Sequence, residues 1–178
     1  EYTGRYGIAT EDLRRFHRDR WRILAGAGAD LLACETLPSG EEADILTALL
    51  EETPGAWAWF SFSCRDEAHL WDGTPLARAV ARCAASPRTV AVGVNCLDPD
   101  LVDPLLEICR GVTDKPLIVY PNAGGRYDPV TRTWAGGEAA GGLADRARGW
   151  VDRGAGAVGG CCRTGPKAIA RLRRALLD

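Results

Sequence analysis

The stretch "DLLACETLPSGEEADILTALLEE", residues 30–52, decides the fold class. Residues 30–38 form a short apolar run that ends in a Pro-containing loop, the mark of a buried strand. Residues 39–52 begin at Ser39-Gly40, carry acidic side chains in the first turn, and repeat apolar residues at helical spacing. A strand running straight into a helix is one crossover unit, and the same unit recurs along the chain. "AWAWFSFS" (56–63) precedes "TPLARAVARCAAS" (74–86), with Thr74 expected as N-cap and Pro75 at the first helical position. "TVAVGVN" (89–95) precedes "DPDLVDPLLEICRG" (98–111), with Gly111 as the expected stop. "PLIVYPN" (116–122) leads through a glycine-rich loop to "AGGLADRARGWVDRG" (140–154). "GAVGG" (156–160) leads to "GPKAIARLRRALLD" (165–178), and a helix over about 10–27 opens the chain.

Repeated strand–helix units with short connections predict an α/β fold with a parallel sheet covered by helices. A doubly wound open sheet and a (β/α)₈ barrel both satisfy this pattern. No strand is followed by Rossmann or P-loop glycine spacing, which argues against a nucleotide site. A barrel needs eight units and about 250 residues. Here five units follow an orphan helix, so the reading favoured is an incomplete TIM barrel. Residues 1–178 are expected to be a single domain, the C-terminal part of the barrel, about strands 4–8, with the first three βα units upstream of Glu1.

The totals are those of a globular domain: 178 residues, 46% hydrophobic, 26% charged, formal net charge −2. Near-neutral charge gives no reason to expect nucleic acid or an anionic membrane as partner. Arg-rich "LRRFHRDRWR" (13–22) and "RLRRALL" (171–177) lie on helix-like segments and read as solvated faces. There is no apolar run of about eighteen residues, so no membrane span is expected. "EYTGRYG" is neither a signal peptide nor an initiator start. Seven cysteines, an odd number, suggest a reducing, cytoplasmic setting rather than a disulfide framework.

In either architecture ligands gather at the C-terminal ends of the strands. The residues expected there are Glu35 and Thr36, then Ser61, Ser63 and Cys64, then Asn95 and Cys96, then Tyr120 and Asn122, and finally Cys161, Cys162 and Arg163. Three thiolates converging on one point suit zinc, which takes sulfur ligands at about 2.3 Å and, with three protein ligands, keeps one position open. Both adjacent cysteines reach one metal only if the backbone turns there, and Gly159-Gly160 would permit it. Such a site would hold an incoming thiol as thiolate, which suggests alkyl transfer to sulfur. A redox pair or inert core thiols are the alternatives left open by spacing alone. Cys34, Cys83 and Cys109 read as small hydrophobes, while Cys64 lies near the rim beside the loop residues Arg65 and Asp66. Glu35 would bind a substrate ammonium or make a loop salt bridge, and Asn95 would donate to a substrate carboxylate or stabilise its turn. His17 reads as a helix-surface residue and His69 as a loop residue.

In order, "DLLACETLP", "WFSFSCRDEAHLWDGTPL", "VGVNC", "VYPNAGGRYD" with "TW" (133–134), and "GGCCRTGP" resemble landmarks of the homocysteine S-methyltransferase family. The likeness runs along essentially the whole chain and is strongest to the branch using S-methylmethionine as donor. "EYTGRYG" resembles the segment after that family's third barrel strand. The resemblance implies a (β/α)₈ barrel with Zn²⁺ held by Cys96, Cys161 and Cys162, and Glu35 binding the amino group of homocysteine. Asn95, Thr36 and Ser61 are the other expected substrate-binding residues. The implied reaction is S-methyl-L-methionine plus L-homocysteine giving two methionines, with S-adenosylmethionine as a possible second donor. No strong general base is required, because the metal lowers the thiol pKa. Trp59, Phe60, Phe62 and Trp134 are candidates for an aromatic wall facing the sulfonium, with core packing as the competing role. "RTGP" stands where the family usually has a second Thr, so Gly165 is expected to lack a helix cap. Residues from the absent strands are expected to complete the pocket, so activity is expected of the whole barrel rather than of this chain alone. The competing expectation is a truncated zinc-binding or interaction module whose open sheet edge pairs with another chain.

Overall fold

A computed structural model describes residues 3–128, 130–137 and 142–178. Helix α1 (Thr10–Ala25) leads into β1 (Leu32–Leu37), α2 (Gly40–Glu51), β2 (Ala58–Phe62), α3 (Leu76–Ala84) and β3 (Thr89–Asn95). A 3₁₀ turn (Pro99–Leu101) opens onto α4 (Val102–Val112), followed by β4 (Leu117–Tyr120) and the short strands β5 (Arg126–Asp128) and β6 (Thr133–Ala135). The chain closes with α5 (Gly142–Asp152), β7 (Ala155–Val158) and α6 (Pro166–Leu177). The main sheet is parallel throughout and ordered β1-β2-β3-β4-β7. Each strand therefore joins the outer edge of the one before it. A doubly wound sheet reverses its order at a switch point, and this sheet has no such reversal.

Alternation along the strands separates two faces. Leu32, Cys34, Ala58, Phe60, Phe62, Val92, Val94, Leu117 and Val119 are buried in one core with residues of the helices, including Leu50, Leu76, Val80, Leu105 and Leu106. Successive helices pack side by side from α1 to α6 along that face. The opposite face carries Glu35, Trp59, Ser61, Gly93, Asn95 and Tyr120, and Leu31 and Trp57 are 41% and 46% exposed. Phe60 and Phe62 are each 0% exposed on the helix side, so they are core residues and no part of an aromatic wall.

Local readings depart from the structure where a side chain has a better partner. Thr74 does not cap α3: its backbone N–H and hydroxyl both bond Asp72, and Pro75 takes the N-cap position without a side-chain bond. Asp98 accepts from the Asp100 N–H and so starts the 3₁₀ turn ahead of α4, while Gly111 lies inside α4. The glycine-rich loop contains the antiparallel pair β5–β6. Residues 140 and 141, read as the start of the next helix, lie outside the described residues. His17 is not a surface residue: its ring lies 2.8 Å from Glu42, which also accepts from the Tyr6 hydroxyl at 2.6 Å. Cys34, Cys83 and Cys109 are buried as expected, and Cys64, 2% exposed, joins them in the core instead of the rim. Gly165 is the N-cap of α6 and supplies no side-chain bond, as expected. Among the described residues no helix is long and apolar enough to cross a membrane.

Candidate metal centre

Three strand ends build the site. Beyond β3, the Cys96 N–H still bonds the Tyr120 carbonyl (3.2 Å), and at Cys96 the backbone turns left-handed (φ 54°). The Ser63 hydroxyl donates to the Cys96 carbonyl at 3.4 Å. Beyond β7, residues 159–162 stay laced to the extension of β4. Gly159 N–H bonds Val119 O (2.8 Å), Cys161 N–H bonds Pro121 O (2.8 Å), and Cys162 N–H bonds the Asn122 side-chain oxygen (3.1 Å). These bonds carry both adjacent cysteines to the rim beside Cys96.

The Sγ atoms of Cys96, Cys161 and Cys162 all lie within 4.8 Å of one another, and Cys96 and Cys162 are 3.5 Å apart. Three sulfurs each about 2.3 Å from one tetrahedral zinc would be roughly 3.8 Å apart, so the donor set fits that ion in type and spacing. The turn does not use the glycines as expected, for neither Gly159 nor Gly160 has a positive φ. The left-handed residue is Arg163 (φ 64°), and a Cβ at Gly160 would sit 2.3 Å from the Thr164 side chain. Gly160 supplies room rather than an unusual dihedral.

Without a cation, the cluster resists ionisation. The Cys161 thiol is pushed well up from its ordinary range, first by its hydrogen bond with Cys96 and then by burial and the neighbouring sulfurs. Burial, then Cys96, raises Cys162. Crowded thiols hold their protons until a positive charge offsets the repulsion among thiolates, as a divalent metal does.

Beside the thiols lies a connected polar network. Glu35 is exposed and accepts from the Tyr120 hydroxyl at 3.0 Å. Tyr120 also shares a short hydrogen bond with Ser61 and accepts from the Trp59 indole at 3.3 Å. Because the Tyr120 proton goes to Glu35, the single Ser61 proton serves Tyr120, and Ser61 Oγ lies 2.9 Å from Asn95 Oδ1, which accepts from the Thr36 N–H at 3.0 Å, while Asn95 Nδ2 donates to Thr36 Oγ1 at 2.7 Å. Burial keeps the Tyr120 phenol protonated, with its pKa pushed up to about 12. Asn95 and Ser61 are 1% and 0% exposed, beneath the rim, with their polar atoms engaged by the protein.

Thr36, a β-branched residue at φ 62°, depends on that network. Asn95→Ala would leave its N–H without a partner and its left-handed turn without support. A loss of about 2–3 kcal/mol is expected in urea denaturation. A variant as stable as the parent would show that the turn holds itself.

Two residues here carried no assigned role in the sequence. Tyr120 meets Asn95 only through the β3–β4 register, which no local pattern encodes. Arg163 bonds the Gly124 and Gly136 carbonyls (3.0 and 3.3 Å) and lies 5.6 Å from the Trp134 ring centroid, so it ties the β5–β6 pair to the rim. Trp134 therefore faces Arg163 and Tyr127, while Trp59 stands on the open face with its indole on Tyr120.

The sequence profile of the homocysteine S-methyltransferase family matches residues 1–176. The homocysteine S-methyltransferase of Escherichia coli K12 is 48% identical over 174 residues, covering 97% of this chain and 56% of that protein. The Bacillus subtilis homocysteine S-methyltransferase YbgG is 44% identical, covering 97% and 55%. A selenocysteine Se-methyltransferase from Brassica oleracea is 40% identical, covering 100% and 53%. The crystal structure of the metallated form of the Escherichia coli homocysteine methyltransferase MmuM superposes with a TM-score of 0.82 at 44% identity, covering 97% of this chain and 54% of that one. The chain thus spans about half the length of the relatives it matches, an extent that alone assigns it to neither end of them. With a family profile running from its first residue to residue 176 and the thiol cluster at its rim, the chain belongs to the homocysteine S-methyltransferase family.

Proposed function

We propose that the protein carrying this chain transfers a methyl group from S-methyl-L-methionine to L-homocysteine, giving two methionines, with S-adenosyl-L-methionine as a second donor. The observation that carries this reading is the meeting of three thiols from two strand ends at the rim, beside a carboxylate. Cys96, Cys161 and Cys162 would hold Zn²⁺, whose Lewis acidity keeps an incoming thiol ionised at neutral pH. The family membership, and the metallated form known for a relative, support the same reading.

The chain's own residues then bind and orient. Glu35 takes the ammonium group of homocysteine, and the enclosed Asn95, Ser61 and Thr36 fix the turn that presents it. The thiol proton leaves to solvent. The sulfur lone pair forms the new S–CH₃ bond as the donor's S⁺–CH₃ bond breaks, and that bonding pair returns to the donor sulfur. Charge on the donor is lost in the step, so alignment rather than strong base catalysis supplies the acceleration. The sheet's open edges at β1 and β7, and the exposed Leu31 and Trp57 ahead of β1 and β2, support a (β/α)₈ barrel in which three further units join those edges.

The test is metal removal from the protein carrying the whole barrel. Chelation is expected to lower methionine formation to below about 1% of the starting rate, with recovery on adding zinc. Because Cys161 and Cys162 hold their protons in the metal-free form, metal uptake must release them. Zinc affinity should thus fall on acidification, by about tenfold per pH unit for each proton released, in calorimetric titrations. Turnover that persists after the metal is gone would refute the proposal.

A further inference from the structure

We infer that Tyr120 is a positioning residue that sets the site's preference for a thiol bearing an α-ammonium group, by holding the Glu35 carboxylate toward that group. The inference rests on the reading of Glu35 given above. Glu35 stands on the open face with Oε2 on the Tyr120 hydroxyl at 3.0 Å, and no cation pairs with it among the described residues. A rim carboxylate without a cation complements an incoming ammonium, but a loose glutamate loses side-chain entropy when fixed. Tyr120 removes much of that cost, because it is itself fixed by Ser61 and by Trp59 Nε1 (3.3 Å). Ser61 Oγ also lies 2.9 Å from Asn95 Oδ1, and Asn95 bonds Thr36, the residue after Glu35, so this chain of contacts leads from Glu35 back to its own strand. The same Asn95 precedes Cys96 in the chain. The network that orients the carboxylate thus adjoins a metal-site cysteine in the chain, as recognition of a thiol and an ammonium group on one ligand requires.

The experiment measures binding rather than turnover. Dissociation constants of homocysteine and of 4-sulfanylbutanoate, the same molecule without the amine, are compared by calorimetry on the zinc-loaded protein carrying the whole barrel. Tyr120→Phe is expected to weaken homocysteine about tenfold and leave the analogue unchanged. Glu35→Gln should abolish the preference for homocysteine, and the double variant should bind as Glu35→Gln does, since Tyr120 acts through Glu35. Glu35→Asp, which draws the carboxylate away while leaving the phenol and its other bonds in place, should lose affinity for homocysteine alone. The inference is overturned if Tyr120→Phe weakens both ligands equally or neither, or if the double variant falls a further tenfold below Glu35→Gln. Should Glu35→Gln keep the preference, the ammonium role of Glu35 fails and the inference with it. Should Glu35→Gln lose it while Tyr120→Phe keeps it, only the role of Tyr120 fails.

Discussion

Cys161→Ser is expected to strip the metal from the protein and to lower methyl transfer by on the order of a thousandfold or more. Its sulfur is one of three within 4.8 Å of one another, and no fourth thiol among the described residues joins that group to replace it. A hydroxyl at the same place is a harder donor that keeps its proton, whereas zinc favours thiolate. Cys109→Ala provides the contrast, because Cys109 is 0% exposed in the core and away from the cluster. That change should cost about 1 kcal/mol of stability and leave metal content at one per chain. Metal analysis and initial rates on the two variants decide the matter. A Cys161→Ser protein with a full complement of zinc and parental turnover would remove Cys161 from the site.

Gly93→Ala is expected to destabilise the protein by more than about 3 kcal/mol, the largest stability effect of any single methyl group in the sheet. A Cβ there would lie 1.8 Å from the Ile118 carbonyl oxygen and within 2.8 Å of that residue's backbone C and N. These are backbone atoms of the neighbouring strand and cannot swing aside. Gly93 pairs with Ser61 on one side and Ile118 on the other, so relief means parting β3 from β4. That movement would stretch the bonds from Val92 N–H to Pro116 O and from Cys96 N–H to Tyr120 O, and so spread the thiol cluster as well. Gly111→Ala is the control: a Cβ there meets open space inside α4, and alanine should stabilise that helix by up to about 1 kcal/mol. Urea midpoints of the two variants should move in opposite directions. Equal stability of Gly93→Ala and the parent would mean that the strands separate at little cost.

Strands, helices and the rim residues were largely legible in the chain, because the signals that specify them are local. The apolar run at 30–38 and the acidic first turn after Ser39 are β1 and α2, and the Ser39 hydroxyl does accept from the Glu42 N–H. The failures were local signals outcompeted by specific partners, as when Asp72 took the hydroxyl of Thr74. Nothing near His17 in the sequence announces Glu42, 25 residues away, so its partial burial against that carboxylate is not legible locally.

The sequence by itself determined that strands and helices alternate, that Glu35 falls in the C-terminal half of a strand, and that Cys96, Cys161 and Cys162 fall past strand ends, since periods of 2 and 3.6 and turn residues act over a few positions. Only the tertiary structure decided that three of those ends meet. The registers Asn95↔Tyr120 and Val119↔Val158 place Cys96 beside Cys162, and the ordering of the strands brings the Tyr120 hydroxyl of β4 to Glu35 of β1. Register arises from packing between residues distant in the chain, and slipping it by one residue would turn each of these side chains to the other face.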